Sequence, residues 1–153
     1  MYKDAEALGM GSTIVGAIMR ANQLIAFNVG DSRCHLFSSG QLTQLSQDDV
    51  LDQERDRLGS GRSHVLTQAL GGSSLPLAID PHITVEAPLA PGEALLLCSD
   101  GLTDMVDNQA ISKILRAAVT PLQSVCALAA KAFSNGARDN ISLIVVRRSD
   151  VRS

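Results

Sequence analysis

Five consecutive apolar residues, Ala94-Leu95-Leu96-Leu97-Cys98, run without a polar interruption and stop abruptly at Ser99-Asp100-Gly101-Leu102-Thr103-Asp104. The run reads as a buried strand with a carboxylate, a glycine and a second carboxylate at its tip. Hard divalent cations such as Mg²⁺ and Mn²⁺ choose oxygen ligands and need them rigidly placed, and a strand end supplies that rigidity. Metal chemistry is therefore the leading expectation for this part of the chain. The comparable acid elsewhere is Asp139, in Arg138-Asp139-Asn140.

The strands around this run are short and closely spaced. Thr13 to Met19 and Leu24 to Val29 flank the turn-like Arg20-Ala21-Asn22-Gln23, and Cys34 to Phe37 meets Leu42 to Leu45 across Ser38-Ser39-Gly40-Gln41. Such spacings permit hairpins and leave no room for crossover helices, so an antiparallel meander is expected. From Asp48 to Leu58 the spacing of Leu51, Glu54, Arg55 and Leu58 turns helical, and Ser46 with Asp49 resembles a capping box. Gly59-Ser60-Gly61 then breaks that short helix in a glycine-rich stretch that reads as a flap.

Two later helices carry clearer signals. Asp107 is placed to cap one bearing Ala110, Ile111, Ile114, Leu115 and Ala118, and Thr120-Pro121-Leu122-Gln123 opens the next with a capping box and a first-turn proline. Leu122, Val125, Cys126, Ala129 and Phe133 should form the apolar face of that second helix. Asn135-Gly136 ends it, and Ile141 to Val146 is a closing strand of mostly β-branched residues.

Bulk properties exclude several function classes. A chain of 153 residues buries roughly 70% of its unfolded surface, enough for one sizeable core. A single domain over residues 1–153 is expected. With 13 basic and 16 acidic residues and a net charge of −3, the chain has no general attraction to nucleic acid or an anionic membrane. Cys34, Cys98 and Cys126 are odd in number and widely spaced, which suits reduced thiols in a cytoplasmic protein better than a disulfide framework or a zinc site. Met1 to Glu6 lacks the apolar stretch of a signal peptide, and no run approaches membrane-spanning length.

Rival chemistries find no support. A cysteine-based phosphatase needs an Arg six residues after its Cys, and Gly40, Asp104 and Ala132 stand there instead. No glycine cluster continues into the Gly-Lys-Ser/Thr of a P-loop. His35, His64 and His82 lack spaced ligand partners, Cys98 reads as a small core residue, and Arg62 and Arg138 read as solvated loop charges, with bidentate contact to a phosphorylated peptide as the alternative.

Taken in order, Gly9-Met10-Gly11-Ser12-Thr13, Asn28-Val29-Gly30-Asp31-Ser32-Arg33, Val65 to Gly71, Leu97-Cys98-Ser99-Asp100-Gly101 and Gly136-Ala137-Arg138-Asp139-Asn140 resemble the metal-dependent protein serine/threonine phosphatases of type 2C. The resemblance implies an α+β fold, an antiparallel β-sandwich flanked by helices. It implies hydrolysis of phosphoserine and phosphothreonine by a water activated at a binuclear Mg²⁺ or Mn²⁺ site, with phosphorylated proteins as substrates and a cognate kinase or its targets as associates. By the same resemblance Asp100 and Asp139 bind the second metal, and Asp31 and Asp104 join Asp100 at a third. The residues alone leave other roles open: Asp31 as a turn cap paired with Arg33, and Asp104 at the start of the following helix.

The family's early phosphate-holding arginine, its first-strand acids and its Asp-Gly-x-x-Gly motif, whose Asp bridges both metals, are not found in this sequence. The chain is accordingly expected to be the carboxyl-terminal two-thirds of the domain, without its amino-terminal strands and inactive alone. Exposed strand edges would then favour a dimer, a strand exchange or a separate amino-terminal piece. The alternative is a catalytically silent phosphatase-like binding or regulatory module.

Overall fold

The computed structural model describes residues 10–50, 65–72 and 78–148. Nine strands and three helices follow one another as β1 (Gly11–Ser12), β2 (Ile14–Met19), β3 (Leu24–Val29), β4 (Arg33–Ser38), β5 (Gln41–Gln44), β6 (Leu70–Gly71), β7 (His82–Glu86), β8 (Ala94–Cys98), α1 (Asp100–Thr103), α2 (Asn108–Ala117), α3 (Pro121–Ser134) and β9 (Leu143–Arg147) among the described residues. They build an antiparallel three-stranded sheet ordered β2-β3-β7, a four-stranded sheet ordered β5-β4-β8-β9, and a small β1-β6 ladder.

The apolar run is β8, and every one of its residues is buried. Its two faces serve two cores. Ala94, Leu96 and Cys98 face a core with Ile111, Leu115, Leu128 and Ala132 from the helices, whereas Leu95 and Leu97 meet Leu24 and Ala26 of the three-stranded sheet. Each such leucine contributes roughly 1.5–3 kcal/mol on burial, which explains why this strand tolerates no polar alternation. Burial also pushes the Cys34 and Cys98 thiols up to about 12, so both behave as apolar core groups.

Local chemistry sets the other boundaries. The β4–β5 hairpin turns on Ser39 and Gly40, both at positive φ (51° and 81°), as a two-residue turn requires. Asp107 caps α2 by accepting from the Ala110 N–H at 2.8 Å. Thr120 and Gln123 form the capping box of α3, with Pro121 at its first position.

Four expectations are corrected. The meander does not run on from β3 to β4: the chain changes sheets at Gly30–Ser32, and β4 pairs with β5 and β8. Ser46 and Asp49 make no capping box, because Ser46 Oγ accepts from the Cys34 N–H and the Asp49 carboxylate is buried against Gly30. The remainder of the expected 48–58 helix, the flap and Arg62 lie outside the described residues. On α3 the buried face is Ser124, Leu128 and Ala132, while Leu122, Cys126 and Phe133 are exposed and Val125 and Ala129 half-buried. The helix lies on the four-stranded sheet by its small residues and leaves its bulkier stripe beside a groove along Ile141 and Leu143. Finally, β7 is an additional strand, signalled by the alternation His82-Ile83-Thr84-Val85-Glu86.

Candidate functional site

The two most telling acids lie on loops that are stitched together. Asp100 opens α1 just after β8, and Asp139 precedes β9. Ser99 joins their loops three ways: its N–H donates to Ser142 O (3.1 Å), its Oγ donates to Asn140 O (3.1 Å), and that Oγ accepts from the Ser142 N–H (3.0 Å). Gly101 lies so close that a Cβ there would stand 2.3 Å from Asn140 O. The Ser-Asp-Gly and Asp-Asn motifs are therefore two sides of one backbone contact. Each carboxylate also accepts from the next residue's N–H, Asp100 from Gly101 (2.8 Å) and Asp139 from Asn140 (2.7 Å).

Asp31 comes to the same end of the sheet by strand register. Arg33 pairs with Cys98, so Asp31, two residues before β4, and Asp100, two residues after β8, both lie off the same end of that ladder. Asp31 is 92% buried, with 8% exposure, in a turn that several groups fix independently. Gly30 takes φ +98°, and a Cβ on it would stand 2.3 Å from Thr13 Cγ2. Thr13 and Ser32 hydroxyls bond at 2.8 Å, while buried Asn28 donates to Gly30 O (3.1 Å) and Gln47 O (2.6 Å). Two of the sequence blocks, Gly-Ser-Thr and Asn-Val-Gly-Asp-Ser, are thus parts of one turn.

Asp104 is the C-cap of α1, and its N–H donates to Asp100 O at 2.9 Å. It does not start the following helix, whose cap is Asp107. Arg33, expected as a partner of Asp31, instead makes a forked pair with Asp48, with Nη2 to Oδ2 at 2.5 Å and Nε to Oδ2 at 2.9 Å. That bond holds the guanidinium above its ordinary range, and the charge of Asp104 adds to it.

Asp49 was not visible as a functional residue in the sequence, yet it organises this region. Its carboxylate accepts from the Gly30 N–H (2.8 Å), from Gln68 Nε2 (2.9 Å) and pairs with His82 Nε2 (2.8 Å). Burial works to raise the Asp49 carboxyl, but these donors outweigh it and hold the group below its ordinary value. Asp49 thereby ties the Asp31 turn to the segments leading to β6 and β7. The only sequence signal at this position is the acidic pair Asp48-Asp49.

Donor chemistry at this end, aspartate oxygens on short rigid loops, suits Mg²⁺ or Mn²⁺. Among the described residues, no group of three or more His, Cys, Asp or Glu is gathered closely enough to hold a metal ion. What is present is a paired-loop framework presenting Asp100 and Asp139, flanked by Asp31 and Asp104.

This sandwich with carboxylates at one end of its longer sheet has known counterparts. A family model described as protein phosphatase 2C matches residues 1–141, and the chain belongs to that family. It is 36% identical over 159 residues to the serine/threonine phosphatase stp of Listeria monocytogenes, covering 97% of this chain and 62% of that protein. It is 32% identical to the serine/threonine protein phosphatase PstP of Mycobacterium tuberculosis, over 90% of this chain and 27% of PstP. Among solved structures, PppA of Pseudomonas aeruginosa superposes with a TM-score of 0.78 at 33% identity, covering 90% of this chain and 58% of that one. The catalytic domain of PstP in complex with two manganese ions superposes with a TM-score of 0.76 at 31% identity, covering 93% and 60%. The chain thus spans about 60% of the length of the Listeria relative and of these solved domains.

Proposed function

We propose that this chain carries one side of a protein serine/threonine phosphatase centre, acting on phosphoserine and phosphothreonine in phosphorylated proteins. The observation that carries the reading is the contact of Gly101 with Asn140, which sets the Asp100 and Asp139 loops side by side. Asp100 and Asp139 would hold Mg²⁺ or Mn²⁺, with Asp31 and Asp104 serving a further ion beside Asp100. A divalent cation bound there activates water and neutralises charge on the phosphoryl oxygens. The chain's own contribution is to fix the carboxylates through Ser99, Gly30 and Asp49. The manganese ions of PstP support this choice of metal.

In the same reading, residues 1–153 form one phosphatase-like domain that is incomplete and inactive alone, and works with a complementing segment or a second copy. Open apolar surface supports this: Ile14, Ile18, Ile83 and Val85 stand exposed on one face of the three-stranded sheet, and β9 and β2 are edge strands among the described residues. The placement is cytoplasmic, on the strength of its unpaired cysteines; no helix of the described residues is long and apolar enough to cross a membrane. A cognate kinase or its targets would be the natural associates.

The silent-module reading is favoured by one observation, the lack of a gathered three-ligand group among the described residues. One experiment separates the two. Hydrolysis of a phosphothreonine peptide is followed in Mn²⁺, with this chain alone and with the part of the Listeria relative that it does not match. Turnover that appears only on mixing, and falls by about 100-fold or more in Asp100→Asn or Asp139→Asn, is expected. No turnover in either condition, with a partner still bound, would establish the silent module.

A further inference from the structure

The end of the sandwich away from the carboxylates has the opposite charge. Chain direction brings the β2–β3 turn, the β4–β5 turn, the approach to β8, the last turn of α2 and the end of β9 to that end, and with them Arg20, Arg116, Arg147 and Arg148. Among the described residues none of the four pairs with a carboxylate; the ion pairs there are Arg33 with Asp48 and His82 with Asp49. Glu86 at the end of β7 and Glu93 before β8 lie at the same end, so among these described residues arginines outnumber acids there in a chain of net charge −3.

Two of these arginines face one cavity of about 730 Å³, bounded also by Ser39, Gly40, Gly92 and Glu93. Neutral acceptors fix both guanidinium groups. Arg116 Nη2 donates to Gly40 O (3.0 Å), and Arg147 donates through Nη1 to Gly92 O (3.3 Å) and through Nη2 to Leu115 O (2.6 Å). Gly40 lets the Arg116 group lie against the hairpin, since a Cβ there would stand 2.4 Å from Nη2. Arg147 Nε is buried with no hydrogen-bond partner, so this cation is desolvated on one side without compensation.

Among the described residues Glu93 is the one acid on the cavity wall; neutral donors occupy its oxygens and leave its negative charge, which the two arginines must outweigh. Its Oε1 accepts from the Ser38 hydroxyl (2.5 Å) and its Oε2 from the Ala90 N–H (2.6 Å). Carbonyl partners leave a guanidinium its full charge and its remaining N–H donors, and a fork held in place loses little freedom when an oxyanion arrives. Two such groups match a phosphoryl dianion, and the cavity has room for the group that carries it.

We propose that this cavity is a second anion site, taking a phosphate monoester or free phosphate between Arg116 and Arg147. Glu93 and Asp100 are seven residues apart along β8 and its ends, about 20 Å by strand rise, so the site is independent of any metal at the carboxylate end. It offers a place for a second phosphorylated side chain of a substrate to dock, or for phosphate to regulate the domain from the far side of the sheet.

The test uses the whole chain in EDTA, which removes metal-held phosphate from the readout. Inorganic phosphate, a phosphothreonine peptide and its unphosphorylated counterpart are titrated by calorimetry. Saturable, salt-sensitive binding of the phosphorylated probes is expected, weakened at least tenfold in Arg116→Ala and in Arg147→Lys and unchanged in Asp100→Asn. Thermal melts identify a variant that fails to fold, and Arg116→Ala, which removes an exposed side chain, keeps the test decisive. A peptide that binds more tightly than inorganic phosphate identifies a phosphorylated side chain as the ligand, and equal affinities identify the free anion. No saturable binding, or binding that survives either arginine substitution, overturns the proposal.

Discussion

The two sheets of the sandwich are built to different standards. In the four-stranded sheet, β8 is buried along its whole length between the helices and the opposing sheet. In the three-stranded sheet, β7 alternates, and its outward residues Ile83 and Val85 are 65% and 60% exposed. The register explains this bare face: Ile83 pairs beside Phe27 and Val85 beside Ile25, while Gly16 and Ile18 flank them from β2. Every one of these positions is apolar or glycine, and Gly16 is occupied by the Phe27 ring, which a Cβ would meet at 2.3 Å. Local stability follows buried apolar contact, so Asp100 and Asp139 ride on the more fully buried sheet, and the bare face belongs to the less buried one.

The largest effect should therefore come from the centre of β8. Leu96 is wholly buried against the helices. Leu96→Ala is expected to cost about 3–4 kcal/mol in urea denaturation, from lost transfer energy and the cavity left behind. A loss below about 1 kcal/mol would mean that the core collapses around the gap and that the two sheets are alike after all.

The same sheet holds a built-in acid weakness. His35 of β4 is completely buried, and neither ring nitrogen has a hydrogen-bond partner. Burial, assisted by the charge of Arg33 and opposed by Asp48, pulls the imidazole down to about 4. The folded state keeps His35 neutral while the unfolded chain takes up a proton near its ordinary 6.5. Stability is thus fully present above pH 6.5 and falls toward pH 4, by an amount on the order of 3 kcal/mol at most. Asp49, whose carboxyl is held below its ordinary value, gives up its contribution as pH drops through that lowered value, so denaturation between pH 7 and 4.5, compared between the parent chain and a His35 variant, reads the histidine. His35→Leu should flatten that part of the curve, and an unchanged slope would assign it elsewhere.

These contrasts mark what was legible in the sequence. The apolar run, the caps at Asp107 and Thr120, and the Ser39-Gly40 turn each express a local rule, and all are present in the fold. Asp100 and Asp139 were legible as motifs, but their union depends on Ser99 and on Gly101 meeting Asn140, a contact between residues about forty positions apart. Asp49 was misread as a helix cap because its real partners, Gly30, Gln68 and His82, lie 19 to 33 residues away. The α3 face was misread for a related reason. Hydrophobic size pointed to Leu122 and Phe133, whereas close packing on the sheet selected Leu128 with the small Ser124 and Ala132. β7 shows the converse, a weak two-residue alternation that becomes a strand only because β3 offers an edge.

The smallest effect on stability belongs to the bare face, and it is the sharpest test of the contrast. Ile83→Thr with Val85→Thr keeps β-branched side chains in the strand, so pairing with β3 is preserved. Exposed substitutions of this kind shift stability by about 0.5 kcal/mol or less each. What should change is association: sedimentation should show the double variant remaining monomeric at concentrations where the parent chain self-associates, with reduced binding of a hydrophobic dye. A stability loss of about 2 kcal/mol or more would show instead that these two side chains belong to the chain's own core, because only buried apolar groups carry that much. The three-stranded sheet would then be as fully packed as its partner, and the case for a complementing segment would lose its main support.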